Sequence, residues 1–140
     1  MKNEISAGTI LISKPFMEDK RFEKTIILIA EHNQNGTVGF IINKNTSLSL
    51  NDLMIEFPNI NTELKRGGPV EKNSLFFIHK YPDLIHNSIK IKDGIFWGGE
   101  IDDVIKGIKN KEIKTNEISF FIGYTGWESN QLQQEIKEGS

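Results

Sequence analysis

The chain has 140 residues, enough for one domain that buries roughly 68–70% of the surface its unfolded form would expose. Hydrophobic residues make up 37% and charged residues 26%, with nine Phe and two Trp, a composition too apolar and aromatic for a disordered chain. Seventeen basic against nineteen acidic residues leave a formal charge of −2, which excludes a global field that draws in nucleic-acid phosphates or anionic lipid. The absence of cysteine excludes disulfides, thiolate nucleophiles and cysteine-ligated metal.

The amino-terminal Met1-Lys-Asn-Glu-Ile-Ser6 lacks the apolar run of a signal peptide. No stretch approaches the roughly 18–20 apolar residues needed to cross a bilayer. The expectation is a cytoplasmic protein without a membrane span. Thr9-Ile-Leu-Ile12, bounded by Gly8 and Pro15, and the β-branched run Thr25-Ile-Ile-Leu-Ile-Ala30 read as strands. Between them the charged segment from Phe16 to Phe22 reads as a surface connection or a single helical turn. Asn33-Gln-Asn-Gly36 then supplies the positive φ of a tight turn into Thr37-Val-Gly-Phe-Ile-Ile-Asn43, and these two continuous apolar runs predict a central hairpin, with a bulge at Gly39.

Ser49 and Asp52 have capping-box spacing ahead of a short helix over Leu50 to Glu56 that stops before Pro58. Glu63 to Arg66 leads into Gly67-Gly-Pro-Val70. Leu75-Phe-Phe-Ile-His79 reads as a buried strand broken by Tyr81-Pro-Asp83. Ile89-Lys-Ile91 and Ile95-Phe-Trp97 form a second hairpin around Asp93-Gly94, and Gly98-Gly99 closes it. Ile101, Val104, Ile105 and Ile108 fall on one stripe of a helix ending near Asn110, with Asp102 and Asp103 favourable in its first turn. Ile118-Ser-Phe-Phe-Ile122 is strand-like and runs into Gly123-Tyr-Thr-Gly-Trp127, read as an aromatic turn, before a polar helix carrying Leu132 and Ile136. The order β, ββ, α, ββ, ββ, α, β, α is too irregular for βαβ winding. It predicts an α+β fold: a mixed, strongly curved sheet or partial β-barrel flanked by short helices.

Several of these pieces, in this order, resemble the YqgE/AlgH family over nearly the whole chain. They are Gly8 to Ile12 with Pro15; Ile29-Ala-Glu-His32 with Gly36; Gly39-Phe-Ile-Ile-Asn43; Gly67-Gly-Pro-Val70; His79; Gly98-Gly99; and Phe121-Ile-Gly-Tyr-Thr-Gly-Trp127 with Gln131-Leu132 and Glu135. The sequence departs from the family pattern at Asn45, commonly proline, at Thr125, commonly alanine, and at Asn130, usually glycine. Asn130 can keep a glycine-like left-handed conformation at small cost. The resemblance implies a bacterial family without settled biochemistry whose members are often labelled transcriptional regulators. It also implies that relatives continue a few tens of residues past the last helix, which leads to the expectation of an exposed edge or apolar surface here and of homodimerisation through it.

No constellation in the sequence specifies chemistry. His32, His79 and His86 lack the spacing that places two metal ligands on one face, so no metal or cofactor is expected. Glu31 and His32 are neighbours on a strand and point to opposite faces, and no nucleophile elbow is present. Gly67-Gly68 could cradle an anion, but Pro69 removes a donor amide, and a rigid turn with close backbone packing is favoured. Tyr124 and Trp127 either plug the core or offer a stacking surface. Lys106, Lys109, Lys111 and Lys114 read as a solvated face, with no helix-turn-helix beside them, so direct nucleic-acid binding is not expected.

The favoured reading is a non-enzymatic regulatory or binding module for a protein or small-molecule partner, acting near Gly67, Gly68, Pro69, Tyr124 and Trp127. Glu31, His32, Asn43, His79 and Gln131 complete the candidate set. The alternative is a hydrolase or transferase using Glu31, His32 or His79.

Overall fold

The computed structural model describes residues 5–13, 25–54, 56–58, 60 and 62–137. The expected connection between Phe16 and Phe22 lies outside the described residues. Strands β1 (Ile10–Ser13), β2 (Thr25–Asn33), β3 (Gly36–Ile41), β4 (Leu64–Arg66), β5 (Val70–His79), β6 (Ile89–Lys92), β7 (Ile95–Trp97) and β8 (Ile118–Trp127) form one strongly curved, open half-barrel sheet. Helices α1 (Leu50–Leu53), α2 (Ile101–Lys109) and α3 (Gln131–Lys137), with a single 3-10 turn at Thr115–Glu117, complete an α+β fold. Strand order is β1-β2-β3-β8-β5-β7-β6, with β4 paired to β8 in parallel and every other pairing antiparallel.

The hairpin of β2 and β3 lies inside the sheet, as its two apolar runs predict, and Asn33 faces Gly36 across its turn. The irregularity expected at Gly39 sits on the strand opposite. Ile29 pairs with Gly39 and Glu31 with Val38, leaving Ala30 as the extra residue of a bulge. That one residue changes which side chain faces where. Ile27 and Ile29 pack with Leu132 of α3, and strict alternation would send Glu31 to the same face. The bulge shifts the phase. Glu31 stands opposite Val38, which packs with Phe40 and Tyr124, and His32 instead reaches α3 through Gln133.

β8 is the hub. Its first half pairs with β5 on one side and β4 on the other, and its last three residues pair with β3. It is buried on both faces: Ile118, Phe120 and Ile122 join a core beneath α1 and α2, and Phe121 joins Ala30, Phe40 and Ile91 in a second core. Residues 123–127, expected as a turn, are therefore strand. Pairing with β3 and β5 keeps the segment extended, and Gly123 at φ +77° absorbs the irregularity where β5 shifts register. Likewise β5 begins at Val70, five residues before the apolar run that announces it.

α2 buries Val104, Ile105 and Ile108, the stripe read from the sequence, with Asp102 and Asp103 in its first turn and Lys106 and Lys109 in its last, each favourable to the helix dipole. α1 is one turn. The Asp52 carboxylate accepts the Ser49 N–H at 2.8 Å there.

Candidate functional site

β4 and β5 are consecutive in the chain yet flank β8 on opposite sides, so residues 67–69 must step across that strand. Arg66 faces Ile122 before the step and Val70 faces Tyr124 after it. The chains cross backbone to backbone. A Cβ on Gly67 would stand 2.3 Å from the Gly123 carbonyl oxygen, and one on Gly68 would stand 2.2 Å from the Tyr124 carbonyl. The Gly67 amide donates to the Ile122 carbonyl at 2.9 Å, and the Thr125 hydroxyl donates to the Gly67 carbonyl at 3.0 Å. Gly67 and Gly68 are thus buried in a crossing, with Pro69 exposed beside them.

The crossing fixes Val70 and Tyr124, which form one wall of a cleft of about 580 Å³. The hairpin tip supplies Glu31, Asn33, Asn35 and residues 36–38, and the end of β8 with the start of α3 supplies Gly126, Trp127, Glu128 and Gln131. Tyr124 stands edge-on to Phe76, with ring centroids 5.5 Å apart, and packs into the second core. The Trp127 indole N–H donates to Glu135 at 3.2 Å. Gln131 accepts the Glu128 amide at 2.8 Å and donates to Glu135 at 3.2 Å, so these two walls are braced by α3. Asn33 Oδ1 accepts the Asn35 amide at 2.8 Å, shaping the hairpin tip.

The structure brings Glu31, Tyr124, Trp127 and Gln131 together, with Gly67 and Gly68 packed behind Tyr124. The others lie apart. Asn43 is exposed, its Oδ1 accepting the Ile26 amide at 3.0 Å. His32 contacts Thr37 Oγ1 at 2.7 Å and the Gln133 amide at 3.0 Å, a brace between hairpin and α3. His79 is 1% exposed. Its Nδ1 accepts the Tyr81 amide at 3.0 Å, which puts the ring proton on Nε2, 3.1 Å from both the Gly98 carbonyl and Ser88 Oγ. Burial pushes its pKa below the ordinary value, and the bond to Gly98 opposes this in part. His86 is exposed and pairs with Asp103 at 2.8 Å.

Among the described residues no three His, Asp or Glu side chains gather as a metal-binding group. Lys106 and Lys109 border a separate depression with Glu56 and Asp102, so positive charge there is matched by negative. Asn33, Asn35 and Glu128 line the cleft but were not among the sequence candidates. Polar residues at a hairpin tip and before a helix carry the same composition as any solvated loop. Only their position opposite two aromatics distinguishes them.

The AlgH-like family model matches residues 10–140. A UPF0301 protein of Chlorobium limicola is 38% identical over 138 residues, covering 99% of this chain and 74% of the relative. One from Bacteroides thetaiotaomicron is 40% identical over 136 residues, covering 96% and 69%. Among solved structures, AlgH from Pseudomonas aeruginosa superposes with a TM-score of 0.73 at 25% identity, over 93% of this chain and 71% of that one. A protein from Corynebacterium diphtheriae gives a TM-score of 0.77 at 23% identity, over 100% and 75%, a likeness of fold. The glycine crossing, the aromatic strand end, the sequence match and these superpositions agree: the chain belongs to the AlgH-like family.

Proposed function

We propose that the chain is a non-enzymatic binding module whose ligand or partner segment sits in the cleft between the β2–β3 hairpin tip, the end of β8 and α3, and that any regulatory role is exercised through that binding. The convergence of Glu31, Tyr124, Trp127 and Gln131 in one concavity carries this reading. Its volume lies within the range of roughly 300–1,000 Å³ typical of small-molecule sites, which combine apolar walls with a few polar groups.

The hydrolase or transferase reading has less support. Of its three candidates, His79 is buried with both ring nitrogens engaged and His32 is engaged by Thr37 and Gln133, which leaves Glu31 as the one that reaches the cleft. The formal charge of −2 likewise gives direct DNA binding no electrostatic support. No helix among the described residues is long and apolar enough to cross a membrane.

A thermal-shift screen of metabolites against the 140-residue chain tests the proposal. A ligand at 100 times its Kd stabilises the native state by about 2.7 kcal/mol, a readily measured rise in melting temperature. The shift should shrink in Glu31→Ala and Glu128→Ala variants that melt normally without ligand. A hit whose shift both variants retain would place the binding elsewhere, and turnover abolished by His79→Gln would favour the enzyme.

A further inference from the structure

The sheet ends in two edge strands, β1 and β6, and no described strand lies beyond either. An edge presents unpaired N–H and C=O groups that another strand can complete, and folds ordinarily blunt it with lysine, proline or a bulge. β6 is blunted. It carries Lys90 and Lys92, and its register shifts between them. β1, the run Ile-Leu-Ile-Ser over Ile10–Ser13, has no charge, no proline and no register shift.

Hydrogen-bond phase decides what the β1 edge offers. The Ile29 amide donates to the Thr9 carbonyl at 2.9 Å, so Thr9 faces β2, and antiparallel alternation turns Leu11 the same way. Ile26, the residue opposite Ile12, accepts the Ile42 amide at 2.9 Å and so faces β3 instead. Ile10 and Ile12 therefore aim their backbone groups outward, away from β2. The same two residues carry the most exposed large apolar side chains among the described residues, at 49% and 63%. Leu11 between them points to the other face and packs toward the α3 core.

Outward groups placed symmetrically about one residue make a strand its own complement. The geometry points to β1 as a self-association edge, on which two copies of this chain pair their β1 strands antiparallel about a twofold axis at Leu11. That register sets Ile10 opposite the partner's Ile12 and Ile12 opposite the partner's Ile10. Each such pair exchanges both N–H···O=C bonds, and the exposed isoleucines become apolar cross-strand pairs with no charge opposed. Pairing β1 with the second copy's β6 would instead crowd lysines and propagate an open chain. A strand this short gives an interface below the roughly 1,200 Å² of standard size, so the dimer should be weak, with a Kd on the order of 10⁻⁴ M. No residue of β1 lines the cleft, and the dimer stands or falls apart from the binding reading.

Sedimentation equilibrium of the full chain between about 10 µM and 1 mM tests this, with amide hydrogen exchange measured over the same range. Monomer should give way to dimer and to nothing larger. The Ile10 and Ile12 amides should exchange fast in dilute solution and slowly in concentrated solution, while the Leu11 amide, turned toward β2, stays protected throughout. Ile12→Lys should raise Kd at least about tenfold without lowering the melting temperature of the dilute chain, and Ile89→Lys, on the β6 edge, should leave Kd unchanged. Should Ile12→Lys melt early, Ile10→Lys carries the same test, and the exchange pattern of the parent needs no variant. A chain that is monomeric at the highest concentration, growth beyond the dimer, or a dimer that the folded variant leaves intact would overturn the proposal. So would a dimer in which Ile10 and Ile12 exchange as they do in the monomer. Protection of those two amides already at the lowest concentration would overturn it as well, by showing that the chain itself covers the edge.

Discussion

At the scale of single residues, the crossing of residues 67–69 over β8 makes the sharpest demand. Gly67 has no room for a methyl group, since a Cβ would meet the Gly123 carbonyl oxygen at 2.3 Å and Phe40 at 3.0 Å, both in packed surroundings. Gly67→Ala should cost about 3 kcal/mol or more, at or above the upper end for overpacking, because the obstacle is backbone. Gly94, in an open turn at φ +80°, should lose only about 1 kcal/mol on change to Ala. Urea denaturation of the two variants separates steric from conformational cost. Thr125, where the family commonly has alanine, adds a hydroxyl bond to the Gly67 carbonyl, so Thr125→Ala should lower stability by about 1 kcal/mol in the same assay. Position 45, where the family commonly has proline, forms a bridge whose backbone bonds are donated by Thr46 and Arg66, so its own N–H is not needed. His79 supplies a pH signature. Its folded pKa lies below the unfolded value of 6.5, so the unfolded state binds the extra proton as pH falls through 6.5. That contribution to stability is complete above about pH 6.5 and is lost toward the folded pKa. Melting temperature should therefore drop in that window more steeply for the parent than for His79→Gln.

At the scale of elements, α3 is the part most dependent on its neighbours. Seven residues are too few to hold a helix in water. It is docked by buried Leu132, by Ile136, and by the contacts of Gln133 with His32 and Glu135 with Trp127. Leu132→Ala should cost about 2–5 kcal/mol of docking energy and release the helix locally. Hydrogen exchange should then rise across residues 131–137 while β2, β5 and β8 stay protected; uniform loss of protection would mean that α3 is integral to the cooperative fold. The amphipathic stripe of α2 and the Asn-Gly and Asp-Gly hairpins were legible because their causes are local. The course of residues 123–127 was not. Two glycines and two amphipathic aromatics have turn composition, and only pairing with β3 and β5, remote in sequence, holds them extended. Gly39 marked the place of the bulge, but the extra residue fell on β2, where buried Ala30 gives no local signal. Asn130, expected to tolerate left-handed backbone, adopts φ +65° at the entry to α3.

At the scale of the whole molecule, one topological fact assembles the candidate cleft. Because β4 and β5 straddle β8, the Gly67-Gly-Pro-Val70 and Gly123-Tyr-Thr-Gly-Trp127 segments, more than fifty residues apart, meet at the crossing, and the bulged hairpin closes the cleft from the other side. Of the twelve residues that line the cleft, Glu31, Tyr124, Trp127 and Gln131 were sequence candidates, and nothing in the sequence shows that they converge, because convergence depends on strand order, which no local pattern encodes. Asn43 and His79 were candidates too, and both serve backbone amides elsewhere. The two tryptophans now provide a direct reporter, since Trp127 lines the cleft and Trp97 packs against Phe40 and Phe76 away from it. In a ¹H–¹⁵N spectrum of the labelled chain titrated with a metabolite that raises its melting temperature, the Trp127 indole signal and the amides of Glu31, Val38 and Gln131 should move together and saturate while Trp97 stays still. No saturable movement, or movement confined to residues outside the cleft, would contradict the account.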